Sequence, residues 1–267
     1  MSAIDTLFGQ LRCDGRKAFM PFVTAGDPDL DFTAALLRKL VEAGSSMCEL
    51  GIPYSDPIAD GPVIQASYTR ALDKRIKLDG IFEMLGEVTR ELAAPVVTMV
   101  SYAIVYRRGP DRYVAEAKAA GAAGLIVPDL PADESETLAE VCRREDLSLI
   151  QLITPTTPRE RALRIAERTT GFIYYVSVAG ITGERDALPR QLVENVGWLR
   201  EQTPLPVCIG FGISRPEHVR MLAPVADGLI VGSAIVRRVA GTGEKPREEV
   251  LEEIGQYVAE LLGAMAG

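Results

Sequence analysis

Two kinds of stretch alternate along this chain. The first is short and almost continuously apolar; the second is longer, with apolar residues recurring every three or four positions. The first kind predicts strands buried on both faces, and the second predicts helices that bury one face. Residues 3–12 read as an opening helix, with Ile4, Leu7, Phe8 and Leu11 on one side. Strand candidates follow at Ala18–Thr24, Met47–Leu50, Pro95–Val100, Gly124–Val127, Leu147–Leu152, Phe172–Val176, Val207–Ile209 and Gly228–Val231. Between them the periodic stretches predict helices from about Asp31 to a glycine stop at Ala43-Gly44, then over 62–73, 79–92, 111–120, 133–144, 158–168 and 189–201. Another helix starts near Pro216, a short one at Ser233, and a last one covers about 247–264.

Each strand is thus followed by helix, which indicates a parallel sheet covered on both faces. Eight such units in about 250 residues is the count of the (β/α)8 TIM barrel. A doubly wound open sheet is the alternative, but it needs another strand number or a second domain. There is no linker, low-complexity segment or fixed-period repeat, so residues 1–267 are expected to form a single barrel domain with a short N-terminal helix and extra short helices. In such a barrel the chemistry sits at the C-terminal ends of the strands.

The second strand breaks its own pattern. Glu49 is set among Met47, Cys48 and Leu50, where an unpaired charge is costly to desolvate. Burial also raises a carboxyl's pKa toward the range useful for proton transfer. Glu49 is therefore either paired structurally or a working acid/base. The loop after it carries prolines at 53, 57 and 62, glycines at 51 and 61, and the carboxylates Asp56 and Asp60. Its stiffness would hold Asp60 in one place. Asp56 reads as a loop-structuring side chain.

Three glycine-bearing loops follow the last three strands: Ala179–Gly183, Gly210–Ser214 and Val231–Ile235. Glycine lets backbone N–H groups approach a phosphate, and Gly232-Ser233 opens a short helix. A phosphate site after strands seven and eight recurs in barrels of this kind, so a phosphorylated small substrate is expected.

Composition narrows the function. The net charge of −8 argues against a general nucleic-acid binder. No apolar run is long enough to span a bilayer, no secretory signal is visible at the start, and a cytoplasmic location is expected. The four cysteines form no CxxC and read as buried free thiols. The single histidine, His218, reads as a solvated helix residue, and no histidine cluster for a metal exists. Trp198 reads as helix packing, and Arg107-Arg108 as a solvated loop pair. Tyr174 and Tyr175 alternate faces, so one packs under the helices and the other faces the barrel interior.

Long segments of the chain resemble the α subunit of tryptophan synthase. They are Pro21–Pro28, Glu49–Pro57 with Asp60–Gln65, Pro128–Pro131, Gly180–Gly183, Gly210–Ser214 and Gly232–Val236. The resemblance implies retro-aldol cleavage of indole-3-glycerol phosphate to indole and glyceraldehyde 3-phosphate, with Glu49 as acid/base and Asp60 accepting the indole N–H. It further implies an indole pocket walled by Phe22, Ile64 and Val100, with Tyr175 near the acid/base. Thr182 would lie in a mobile sixth loop. Gly183, Gly212, Gly232 and Ser233 would cradle the phosphate, and Phe211 and Thr182 would also bind the substrate. No cofactor is implied in this chain. A β subunit carrying pyridoxal phosphate is the implied partner, in an α2β2 assembly, with Asp56, Tyr102 and Asp129 at the contact or in communication across it. Two positions depart from the family pattern. Ile104 stands where a Tyr-x-Asn sequence is common, and Val178 where some members carry Arg. Other functions to weigh are an activating subunit with weak chemistry, a free-standing indole-releasing lyase, and a sugar-phosphate isomerase on the same fold.

Overall fold

A computed structural model describes residues 2–57, 60–176, 190–210 and 212–265. The strands are β1 (Ala18–Thr24), β2 (Cys48–Gly51), β3 (Val96–Met99), β4 (Ala122–Ile126), β5 (Ser148–Ile153), β6 (Ile173–Val176), β7 (Val207–Gly210) and β8 (Gly228–Val231). They pair in parallel, in chain order, and β8 returns to β1 to close the barrel. The helices are α1 (Ala3–Cys13), α2 (Leu30–Glu42), α3 (Pro62–Asp73), α4 (Leu78–Val88), α5 (Tyr102–Arg108) and α6 (Pro110–Ala119). They continue with α7 (Glu136–Arg144), α8 (Arg159–Glu167), α9 (Arg190–Gln202), α10 (Pro216–Leu222), α11 (Ser233–Val239) and α12 (Arg247–Met265). The (β/α)8 barrel expected from the alternation is the fold observed.

Side-chain alternation splits the core into two layers. Phe19, Val23, Cys48, Leu50, Val96, Leu125, Leu149, Ile173, Val207 and Leu229 point outward and pack with the helices. Ala18, Met20, Val97, Ile126, Ile150, Tyr174, Cys208 and Ile230 point inward. The inner layer is closed at the N-terminal end by α1, whose Ile4, Phe8 and Leu11 join it. Phe8 meets Phe172 at 5.9 Å between ring centroids. A capping box starts that helix: Ser2 accepts from the Asp5 N–H, and Asp5 accepts from the Ser2 N–H. With that end closed by α1, the barrel opens at the C-terminal ends of its strands.

Three expectations change. The stretch before residue 111 contains a separate helix, α5, begun by Ser101 as N-cap and broken from α6 at Gly109, whose φ is +89°. Arg108 is therefore helical, and its guanidinium pairs with Glu116 at 2.7 Å and with Asp79, in place of a solvated loop. The 133–144 stretch opens as a 3-10 turn over Ala132–Glu134 before α7 begins. Of the cysteines, all free, Cys48, Cys142 and Cys208 are buried, whereas Cys13 is exposed.

Candidate active site

Glu49 sits in the middle of β2, in register with Phe22 on β1 and Val97 on β3. Cys48 and Leu50 on either side face the helices, so the pleat turns Glu49 inward with Gly51. It is only 2% exposed, and its Oε1 has no hydrogen-bond partner among the described residues. No cation pairs with it there. Burial, with Asp60 nearby as a second cause, pushes its pKa up to about 8. Nothing among the described residues pairs with Glu49, and its surroundings favour a carboxyl that holds its proton at neutral pH.

Asp60 precedes α3, whose first turn starts with Gly61 as N-cap and Pro62. The Gln65 side chain donates to the Asp60 carbonyl at 2.8 Å and to that of Pro57 at 3.2 Å, pinning the end of the loop to the helix. Burial raises the Asp60 pKa to about 6, partly offset by a hydrogen bond from the Tyr54 hydroxyl to Oδ2 at 3.5 Å. Two carboxyls at one mouth are thus separated in acidity: one ionised and one protonated near pH 7.

The wall residues divide. Phe22 and Ile64 pack together with Tyr68 and Val236, and Tyr54, Val63 and Met99 lie against them. Val100, one residue past β3, is buried in the outer cluster with the helix-facing side chains instead. Gly51 is required where it stands: a Cβ there would fall 2.4 Å from the Phe22 ring and 2.8 Å from the Tyr68 hydroxyl. Gly210 does the same for Tyr174, whose hydroxyl would be 2.4 Å from a Cβ.

Tyr174, not Tyr175, faces the interior. Tyr174 packs in the inner layer, and its hydroxyl is pushed to higher pKa by burial and by the charges of Glu49 and Asp60. Tyr175 lies in the outer cluster, where its hydroxyl accepts from the Asn195 side chain of α9 at 3.2 Å. The expectation for Tyr175 near the acid/base is therefore off by one position on the strand, which reverses the face.

At the other side of the mouth, Gly212 has φ +78° and Gly232 is the N-cap of α11, with Ser233 exposed at its start. His218 is buried, contrary to its reading as solvated, and its Nδ1 accepts from the Ser214 N–H at 3.3 Å. The Ser214 carbonyl accepts from the Tyr257 hydroxyl at 2.9 Å, so the loop after β7 is held from two helices. Thr182, Gly183, Phe211 and Val178 lie outside the described residues.

Asp129 and Tyr102 are brought together. The Asp129 carboxylate accepts from the Tyr102 N–H and from the Ser101 hydroxyl, each at 2.7 Å, and so caps α5 from the loop after β4. Asp56 is exposed and accepts from the Ser55 hydroxyl at 2.8 Å. Among the described residues no cluster of His, Cys, Asp or Glu could hold a metal ion, and no helix is long and apolar enough to cross a membrane.

A sealed barrel whose open end pairs a protonated carboxyl with an ionised one defines an enzyme of proton-transfer chemistry on a small organic substrate. Known proteins narrow this class. The family model described as tryptophan synthase alpha chain matches residues 8–263. A tryptophan synthase alpha chain of Rhodopirellula baltica is 56% identical over 275 residues, covering 99% of each chain. One from Arabidopsis thaliana is 44% identical, covering 97% of this chain and 94% of its own. The crystal structure of the tryptophan synthase alpha subunit from Legionella pneumophila superposes with a TM-score of 0.91 at 33% identity, over 100% of this chain and 99% of that one. This chain belongs to the tryptophan synthase alpha chain family, and it is a lyase of tryptophan biosynthesis.

Proposed function

We propose that Glu49 and Asp60 carry the family's retro-aldol cleavage of indole-3-glycerol phosphate in this chain. Glu49, protonated at neutral pH, gives its proton to C3 of the indole ring. The carboxylate left behind takes the proton of the glycerol hydroxyl next to the scissile bond. As that C–C bond breaks, its electron pair returns to the ring, and indole and glyceraldehyde 3-phosphate leave. Asp60, ionised, accepts the indole N–H and stabilises the positive charge that develops on the ring after protonation. The observation that supports this reading is the buried Glu49, its Oε1 without a partner among the described residues and its pKa pushed up to about 8, beside a carboxyl pushed up to about 6.

Two buried polar atoms at the mouth, Glu49 Oε1 and Tyr68 Oη, have no partner among the described residues. A substrate rich in hydroxyls supplies such partners. Phe22 and Ile64 form the apolar wall for the indole, Gly183, Gly212, Gly232 and Ser233 hold the phosphate end, and Thr182 and Phe211 add substrate contacts. Tyr174 takes the place expected of Tyr175. Residues 1–267 work as one domain, in the cytoplasm. Asp56, Tyr102 and Asp129 serve contact with a β subunit that carries pyridoxal phosphate; the solved relatives include a tryptophan synthase a2b2 complex from Pyrococcus furiosus described as mutually activating.

Indole release from indole-3-glycerol phosphate by the purified chain, alone and with a β subunit, tests the reading. Slow release alone and a large gain with the partner are expected. Fast release alone would make the chain a free-standing lyase, and no release in either case would leave only the activating-subunit role.

A further inference from the structure

Tyr54 and Tyr68 were not among the residues that the sequence singled out, yet their contacts run from the β2 backbone near Glu49 to Asp60. Tyr68, on the second turn of α3, is 1% exposed. Its hydroxyl lies over the backbone of Gly51, two residues along the inward face of β2 from Glu49. Its ring meets that of Tyr54 at 5.5 Å between centroids, tilted by 52°. Tyr54 belongs to the proline loop, is half-buried, and donates its hydroxyl to Asp60 Oδ2. The contacts therefore run from a buried helix ring, to a loop ring, to the carboxylate. Among the described residues Asp60 has no cation to orient it, and the Tyr54 hydroxyl is the side-chain donor that reaches its carboxylate.

We propose that Tyr54 and Tyr68 are the positioning residues of Asp60: Tyr68 is the fixed support against which the Tyr54 ring rests, and the Tyr54 hydroxyl aims the Asp60 carboxylate at the substrate N–H and keeps it ionised. This rests on the role assigned to Asp60 above. At 3.5 Å the hydrogen bond is long for an O–H donor, and it has room to shorten as substrate excludes water. A phenol donating to a carboxylate favours its charged form. The other titratable groups facing this corner act the opposite way or not at all on orientation. Glu49 on β2 and Asp129 after β4 are carboxyls, and Tyr174 on β6 reaches Asp60 only through space.

The test is the pH dependence of kcat/KM for the parent chain, Tyr54→Phe, Tyr68→Phe and Tyr68→Leu, alongside carbon-13 NMR titration of the Asp60 carboxyl, assigned with Asp60→Asn. Tyr54→Phe should move the acid limb and the Asp60 titration up by as much as about one pH unit, a loss of roughly fivefold near pH 6 and almost none near pH 8. Tyr68→Leu should reproduce that shift, because the Tyr54 ring loses its support. Tyr68→Phe should keep the limb where it is and raise only KM, since it removes a hydroxyl facing substrate and leaves the ring. An acid limb and an Asp60 titration unchanged in Tyr54→Phe would overturn the proposal, as would a Tyr68→Leu chain that folds and shows no shift. If the parent releases no indole, the reaction assignment fails, while the NMR titration still decides whether Tyr54 controls Asp60.

Discussion

Glu49 is the residue whose environment does most to define the molecule. Its carboxyl keeps a proton because it is buried with no opposite charge beside it among the described residues, and because Asp60 adds repulsion to the cost of burial. That has a stability consequence with a definite sign. Below about pH 4.5 the group is protonated in both folded and unfolded chains, and it costs nothing; between there and about pH 8 only the unfolded chain is ionised, so stability falls as pH rises. Glu49→Gln should therefore abolish indole release while raising the melting temperature relative to the parent, with little gain near about pH 5 and the most above about pH 8. Thermal melts of both chains across that range check it; an equal offset at every pH would show that Glu49 is not held protonated. At this scale the sequence exposed Glu49 as an anomaly, because a carboxylate stood in an apolar run. It could not choose between Tyr174 and Tyr175, because adjacent strand residues have opposite faces and the choice depends on where the pleat starts. Nor did it show His218 as buried: Pro216-Glu217 before it reads as an exposed helix start, and its acceptor role depends on the Ser214 N–H of the preceding loop.

Elements were legible where their signals are local. β1 and β8 have the predicted ends, and α3 starts at the predicted Pro62 behind a glycine N-cap. α5 was missed because part of what starts it is remote. Besides Ser101, its first turn is capped by Asp129, 27 residues beyond Tyr102, and no local window contains that contact. A helix of seven residues has little stability of its own, so a cap counts heavily. Asp129→Ala should cost about 1 kcal/mol in denaturant unfolding, from the lost cap. It should also blunt the gain in indole release on adding a β subunit, since Tyr102 sits on the same turn. Full activation with the cap gone would separate α5 from the partner contact.

Over the whole molecule the barrel brings a residue near position 49 and one near 60 to the same mouth as glycines near 212 and 232, and seals the opposite end with α1. Two carboxyls of different acidity in one cavity make rate depend on pH in a particular way. Indole release should follow a bell-shaped kcat/KM profile, falling below about pH 6 as Asp60 takes a proton and above about pH 8 as Glu49 loses one. Asp60→Asn, by removing the neighbouring charge, should draw the alkaline limb of any residual activity downward. A profile flat across that range would mean that neither group titrates during catalysis.

By itself the sequence determined the number, order and type of the repeating units, because apolar periodicity and glycine or proline stops act over a few residues. It also determined the presence of the two carboxyls and the family to which they point. Only the tertiary structure decided which face each strand residue takes and that Glu49 is buried without a counter-charge among the described residues. It alone made Tyr54 and Tyr68 neighbours of Asp60, and let Asp129 start a helix far away in the chain. These depend on which strands pair and in what register, and closure of the barrel sets that through contacts between residues distant in sequence.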